Sequence, residues 1–295
     1  MVVMIKAVVL DVDGVIVGDK EGFNFPYPHK EVIEALKKIR ISGIFVCLCT
    51  GKTAFAIERI IRDAYLNNIH ITDGGALGID PIDKKVSFQY VINSEKILTL
   101  AHFYLHYDIY TEFYTSSECF VLKEQAFSVE GQLHELTMLH NIVLQKEATI
   151  VDEIDSILKE NDIIKIFLMA KNEEQKKFIA RSFVEKFGED MDIDWTYNPN
   201  LKGWQLGIVT AKGISKRRGV EDISKHLNVP LDNILGIGDT MHDWEFIEIC
   251  GYGAAMENAS EQLKELVLEK GRRGYVAKSV NENGVIGVLK YFGLI

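Results

Sequence analysis

The stretch Val8-Val9-Leu10-Asp11-Val12-Asp13-Gly14-Val15 decides how this chain is read. It closes an apolar run over residues 2–10, broken only by Lys6, that predicts a buried strand. The strand runs straight into two carboxylates with one residue between them. Side chains alternate in an extended chain, so Asp11 and Asp13 are expected on one side. Gly14 lets the backbone turn there. Two like charges at the end of a buried strand repel each other and are costly to desolvate. A divalent cation relieves that cost, and so does chemistry that uses one carboxylate as nucleophile and the other as acid. An exposed Asp-x-Asp-Gly turn accounts for the motif equally well, so the rest of the chain has to decide.

Working outward, residues 31–40 predict a helix with Val32, Ile33, Leu36 and Ile39 on one face. Residues 44–49 predict a second buried strand, ending on Thr50-Gly51-Lys52. A helix over 54–65 and a short strand over 69–71 follow, then Thr72-Asp73-Gly74-Gly75-Ala76. Strand–helix–strand–helix–strand in this order predicts a doubly wound parallel sheet, a Rossmann-like α/β core. After Asp80-Pro81 the rhythm changes. Strands over 86–91, 109–114, 119–123, 163–169, 191–197 and 203–209 mix with helices over 94–106, capped by Ser94, and over 151–158 and 173–187. Residues 124–148 give no clear period. That mixture predicts an α+β domain. From Ser215 the first pattern returns, with helices over 216–227, 241–248 and 261–268 and strands over 234–237 and 252–255. The expected organisation is a core of residues 1–80 and 210–295 with an inserted cap domain over 81–209.

Charge supports the insertion. The chain has 295 residues and a net charge of −10. Residues 82–200 contain 21 acidic and 12 basic side chains, which is 9 of the 10 excess negatives. That balance argues against nucleic acid and anionic membranes as partners. No apolar run reaches the ~18–20 residues of a membrane span. The first ten residues are too short and too quickly acidic for a signal peptide, so a cytoplasmic protein is expected. Cys47 and Cys49 sit inside an apolar run and read as reduced core residues. With no CxxC pair, a cysteine metal site is not expected.

Ligands of open parallel sheets sit at the carboxyl ends of the strands. Asp11/Asp13, Thr50-Gly51-Lys52 and Gly238-Asp239-Thr240-Met241-His242-Asp243 fall there. Thr50 offers a hydroxyl and Gly51 a backbone N–H near a helix N-terminus, which suits a phosphate oxygen, although Thr-Gly is also a common plain turn. On its helix Lys216 shares a face with Val220, Ile223 and Leu227, so it points inward and needs an anion, while Arg217 and Arg218 turn outward. Asp239 and Asp243 are one helical turn apart, and Asp239 is also a natural helix cap. Carboxylate oxygens facing a lysine and a phosphate cradle suit a hard cation such as Mg²⁺ and a phosphoryl-transfer site.

Asp11-Val12-Asp13-Gly14-Val15, Thr50-Gly51-Lys52, Lys216 and Gly238-Asp239-x-x-x-Asp243, in this order, resemble the four motifs of the haloacid dehalogenase superfamily. The large insert after the second motif resembles that of its Cof-like branch. Ala255-Met256-Glu257-Asn258-Ala259 and Asn281-Glu282-Asn283-Gly284-Val285 support the resemblance. It implies Asp11 as a nucleophile forming an aspartyl-phosphate and Asp13 as general acid and base. It implies Mg²⁺ held by Asp11, Asp239 and the Asp13 backbone carbonyl, with Asp243 as ligand or support. Thr50, Gly51 and Lys216 then neutralise the phosphoryl oxygens, and Lys52, Gly74 and Gly75 lie around the substrate. Lys52 stands where the family usually has arginine, Gly74 and His242 each replace a frequent asparagine, and residues 266–275 look longer than typical.

The expected activity is that of a Mg²⁺-dependent phosphatase for a small phosphorylated metabolite, a sugar phosphate first. A phosphomutase or phosphotransferase on sugar phosphates is the alternative, and a non-enzymatic phosphometabolite-binding protein the third reading. Substrate choice is expected from the cap. Its candidates are His102, Tyr104, His106, Tyr110, Tyr114, Lys123, His134, His140 and Lys165, although aromatic residues at alternating strand positions are usually core and exposed histidines usually have no role. A homo-oligomer is compatible with the sequence.

Overall fold

A computed structural model describes residues 5–128, 130–144, 146–196 and 203–295. Residues 2–4 of the predicted opening strand and Tyr197 of a later one lie outside the described residues. The chain divides into two compact units, Met1–Phe88 with Ser215–Ile295, and Gln89–Ile214.

In the first unit, β1 (Ala7–Leu10), α1 (Lys30–Ile41), β2 (Phe45–Leu48), α2 (Ala54–Asp63) and β3 (His70–Thr72) come in the expected order. β1 and β2 are parallel and in register, Ala7 beside Phe45 and Leu10 beside Leu48. β3 departs from the expected sheet. It touches the end of β2 through one bridge, Cys49 to Ile71, and otherwise pairs with β4 (Leu77–Asp80), which leads to β5 (Lys85–Gln89) in the same three-stranded sheet. This small sheet keeps the chain in the first unit beyond residue 80, so the boundary falls after Phe88.

The second unit contains α3 (Ser94–His106), β6 (Tyr110–Tyr114), β7 (Cys119–Leu122), α4 (Lys123–Ala126), α5 (Glu135–Leu144), β8 (Thr149–Val151), α6 (Ile154–Leu158), β9 (Lys165–Ala170), α7 (Glu173–Phe187), β10 (Met191–Thr196) and β11 (Gln205–Ala211). Its six strands run in the order β10-β11-β9-β6-β7-β8. One face packs on α3, α6 and α7 through Phe113, Ile166, Leu168, Leu100, Ile157 and Phe183. The other packs Tyr110, Val121 and Met169 against Ala126 of α4 and Leu136 of α5. Three details differ from the sequence reading. Asn93, not Ser94, caps α3, its side chain accepting the Glu95 and Lys96 N–H groups. Val151 is strand rather than helix, because β8 pairs with β7. α4 and α5 fill the aperiodic stretch, where α5 mixes buried and exposed apolar residues.

The chain then returns to the first unit with α8 (Lys216–His226), β12 (Ile234–Gly238), α9 (Met241–Ile249), β13 (Tyr252–Ala255), α10 (Glu261–Leu268), β14 (Gly274–Val276) and α11 (Gly284–Tyr291). β14 occupies the region that looked long for the family. The main sheet has the order β14-β13-β12-β1-β2, all parallel. Strand alternation splits the core in two. Val8, Leu10, Val46 and Leu48 face α1, α2 and α11, whereas Ala7, Val9 and Cys47 face α8, α9 and α10. Helices on both faces of a parallel sheet make this a doubly wound α/β core, and explain why β1 reads as an unbroken apolar run.

Candidate active site

β1, β2 and β12 end side by side, and Asp11, Thr50 and Asp239 emerge just beyond them. The Asp11 N–H donates to the Ile237 carbonyl (3.0 Å), which ties it to the neighbouring strand. Lys216 opens α8 behind the cap Ser215. Its Nζ lies 2.9 Å from Asp11 Oδ1 and 2.7 Å from Asp243 Oδ1, so the inward lysine has found two anions. Arg217 and Arg218 turn outward to Glu248 and Asp222.

Asp243 is fully buried, and both its oxygens are engaged. Oδ1 accepts from Lys216. Oδ2 accepts from the Asp239 and Thr240 N–H groups and the Thr240 hydroxyl, each at 3.0 Å. This corrects the reading of Asp239 and Asp243 as neighbours on one helical face. Thr240 is the helix cap, and Asp239 precedes the helix. Asp243 reaches back across the cap to hold the Asp239 loop.

Asp239 is the least satisfied member. Its Oδ2 accepts from Asn258 Nδ2 (3.2 Å), and among the described residues its Oδ1 has no partner. The same Asn258 amide donates to the Gly14 carbonyl (2.9 Å), and Asn258 Oδ1 accepts the Val280 N–H (3.0 Å). Asn258 therefore joins three loops. Nothing local in the sequence marks an asparagine after a strand as such a brace. Gly14 has φ +75°, and a Cβ there would stand 1.9 Å from Asp239 Oδ2. The close approach of the two loops requires glycine.

Asp13 lies in a different environment. Its side chain is 57% exposed and pairs with Lys52 at 2.9 Å. Thr50 is buried, and its hydroxyl accepts the Lys52 N–H (3.1 Å). Gly51 is half-buried beside it. The Gly74 N–H donates to the Thr50 carbonyl (3.1 Å). Gly75 packs so tightly on the Ser215 carbonyl that a Cβ would meet it at 2.1 Å. The two glycines thus brace the Thr50 loop and the start of α8.

Electrostatics sort the carboxylates. Burial pushes the Asp11 carboxyl up to about 7, against the pull of Lys216 and with help from Asp243 and Asp13. Burial, then Asp11 and Asp243, push Asp239 up to about 8. Asp243 goes the other way. Burial opposes its ionisation, but Lys216 and the two backbone N–H groups prevail and hold it below the usual range. Burial would lower Lys216, and Asp11 and Asp243 outweigh it. Asp11, Asp239 and Asp243 each bring an oxygen within 4.8 Å of the others. An all-carboxylate set with an unpartnered buried oxygen fits a hard divalent cation. Asp11 and Asp239 are the side chains with oxygens to offer it.

Buried carboxylates, an inward lysine and a Thr-Gly turn at the strand ends of a doubly wound sheet describe a hydrolase of the phosphoryl-transfer type. Residues 8–289 match the haloacid dehalogenase-like hydrolases, and the chain belongs to that family, as its motifs implied. A 5-amino-6-(5-phospho-D-ribitylamino)uracil phosphatase of Bacillus subtilis, YwtE, is 24% identical over 296 residues, covering 95% of each chain. A chloroplastic endoribonuclease of Arabidopsis thaliana is 23% identical, and this chain spans only 42% of its length. Among solved structures, a haloacid dehalogenase subclass IIB sugar phosphatase, BT4131, superposes with a TM-score of 0.75 at 22% identity, over 98% of this chain and 100% of that one. TM0651 of Thermotoga maritima gives 0.79 at 17% identity, over 97% of each. These likenesses bear out the fold.

The residues named as substrate candidates in the second unit fall into three groups. His102, His106 and Lys123 are exposed. Tyr104 is core, with its hydroxyl against the Ile179 carbonyl, and Tyr110 bonds Thr137 with His134 stacked on its ring. Tyr114, His140 and Lys165 are buried together.

Proposed function

We propose that this chain is a Mg²⁺-dependent phosphatase that hydrolyses a small phosphorylated metabolite through an aspartyl-phosphate on Asp11. The observation that carries the reading is the Asp11–Lys216–Asp243 bridge beside an Asp239 carboxylate with an unpartnered oxygen. Asp11, Asp239 and the Asp13 backbone carbonyl would hold the cation, which supplies positive charge to the phosphoryl oxygens. Lys216 holds the Asp11 carboxylate in one orientation, so its other oxygen attacks phosphorus along a fixed line. The Asp11 O–P bond forms as the ester P–O bond breaks, and Asp13 gives its proton to the leaving oxygen. Asp13 then takes a proton from water, the water oxygen bonds to phosphorus, and the Asp11 O–P bond breaks to release inorganic phosphate. The exposure of Asp13 and the burial of Asp11 support this division, since a proton carrier needs solvent and a nucleophile needs a fixed, dry site. Thr50, the Gly51 N–H and Lys216 stabilise the phosphoryl oxygens. Lys52 releases Asp13 when a phosphate arrives.

The acidic balance of the chain disfavours a second phosphate, so a monophosphate with a neutral or cationic remainder, a sugar phosphate first, is the proposed substrate, in the cytoplasm. A screen of phosphorylated metabolites for phosphate release tests this. A strong preference for bisphosphates would overturn the substrate class. Turnover that needs a bisphosphate activator would favour the mutase reading. Aryl phosphate hydrolysis that survives Asp11→Asn would remove Asp11 from its role.

A further inference from the structure

The second unit holds a polar cluster that its fold does not require. Glu112 and Tyr114 on β6, Cys119 on β7 and Lys165 on β9 follow Tyr110, Val121 and Met169 at even spacing, so they share the sheet face that α4 and α5 cover. His140 comes from α5. All five are buried. His140 Nδ1 lies 3.1 Å from Glu112 Oε2 and 3.9 Å from Cys119 Sγ. The three side chains bring one donor atom each within 4.8 Å of the others. The Tyr114 hydroxyl donates to Glu112 Oε2 and lies 3.1 Å from Nδ1. Among the described residues, Glu112 Oε1 and His140 Nε2 have no partner.

A buried carboxylate with one empty oxygen is costly, and apolar residues of the same volume would be cheaper. Something should fill the gap. Zinc bonds nitrogen and oxygen at ~2.0–2.1 Å and sulfur at ~2.3 Å, which in a tetrahedron sets N and O about 3.3 Å and N and S about 3.5 Å apart. The observed 3.9 Å between Nδ1 and Sγ is a few tenths of an ångström above the second value, and the unpartnered Oε1 belongs to the carboxylate whose other oxygen, Oε2, lies 3.1 Å from Nδ1. Imidazole, thiolate and carboxylate together are a zinc-class set, unlike the all-oxygen set of the first unit.

We propose that Glu112, Cys119 and His140 form a second metal site, for one zinc-class divalent cation. On binding, Cys119 loses its S–H proton to solvent, and its thiolate and the Glu112 carboxylate match the two charges of the ion. His140 coordinates through Nδ1 and carries its proton on Nε2. Glu112 coordinates through Oε1 while Oε2 keeps the Tyr114 hydroxyl, which orients the carboxylate from outside. A water takes the fourth position. Lys165 faces the cluster from β9, its Nζ 4.5 Å from the centre of the Tyr114 ring, and its charge weakens the site. The site does not depend on the phosphatase reading. It was hidden in the sequence because its ligands sit 7, 21 and 28 residues apart on three elements.

Cobalt(II) is the probe, added to the full chain after chelation. The expected result is a sulfur-to-cobalt charge-transfer band with intense tetrahedral visible bands, saturating at one equivalent and displaced by Zn²⁺. The charge-transfer band should vanish in Cys119→Ser and survive in Asp239→Asn, which disables the first unit's cluster. Absence of the band in the unaltered protein overturns the proposal, as does its survival in Cys119→Ser, which would assign it to another cysteine. If Cys119→Ser fails to fold by circular dichroism, the near-isosteric Glu112→Gln carries the test. Cobalt affinity must then fall by about tenfold or more, or the site is wrong.

Discussion

Cation binding at the Asp11 cluster should depend steeply on pH. Without a cation the Asp11 carboxyl sits at about 7 and Asp239 at about 8. A cation takes the ionised forms, so each protonated carboxyl must first lose its proton. With those values the doubly ionised fraction is about half at pH 8 and on the order of one in a thousand at pH 6. Apparent Mg²⁺ affinity should therefore fall by about two to three orders of magnitude between pH 8 and 6. Proton release should rise toward two per cation at the lower pH. Titration calorimetry in two buffers of different ionisation heat counts those protons directly. The same shifts fix the sign for folding. Both carboxyls are raised in the folded state, so their stabilising contribution is complete below an ordinary carboxyl value and is lost as pH rises through 7 and 8. Asp243 is depressed and contributes the opposite way, at the acid end. Saturating Mg²⁺ should accordingly raise Tm more at pH 8 than at pH 6. An affinity that changes less than about threefold over this range, with no proton released, would refute the burial argument for Asp11 and Asp239.

Three substitutions probe the rest of the site. Lys216→Met leaves Asp11 and Asp243 buried without their cation; phosphate ester hydrolysis should disappear, and urea unfolding should show a loss of about 3–5 kcal/mol. A loss below about 1 kcal/mol would mean that the pair is solvated in solution. Gly14→Ala places a Cβ against Asp239, so Mg²⁺ affinity should fall by about tenfold or more while the far-ultraviolet circular dichroism stays unchanged. Asn258→Ala removes the amide that donates to Asp239 Oδ2 and should raise the Mg²⁺ concentration for half-maximal activity by about tenfold to a hundredfold, with little change at saturating metal.

Much of the core was legible because local and global demands agree there. The β1 and β2 runs are buried on both faces, and Lys216 lies on the apolar face of its own helix, so periodicity alone aimed it inward. Tertiary choices hid the rest. Nothing local says that β3 will leave the parallel sheet for β4, since either partner satisfies its hydrogen bonds. Thr240 and Asp239 are both good cap residues, and only the reach of Asp243 back to the Asp239 and Thr240 N–H groups selects Thr240. α5 escaped notice because its apolar residues cover a sheet face that carries charge as well as hydrophobic side chains.

Charge balance explains why Asp239 is left open. Ionised Asp11, Asp239 and Asp243 carry three negative charges, and Lys216 returns one. Lys216 spends its contacts on Asp11 and Asp243, so the remaining imbalance of two falls on the side of Asp239. A second lysine would correct only half of it, and an asparagine at Asp239 would remove the oxygen charge on which a hard cation depends. A divalent ion corrects all of it. Asp13 stands outside this sum because Lys52 already offsets its charge at the surface. The site thus separates its two kinds of carboxylate by their counter-charge, and that separation, rather than the Asp-x-Asp spacing, is what distinguishes the proposed nucleophile from the proposed proton carrier.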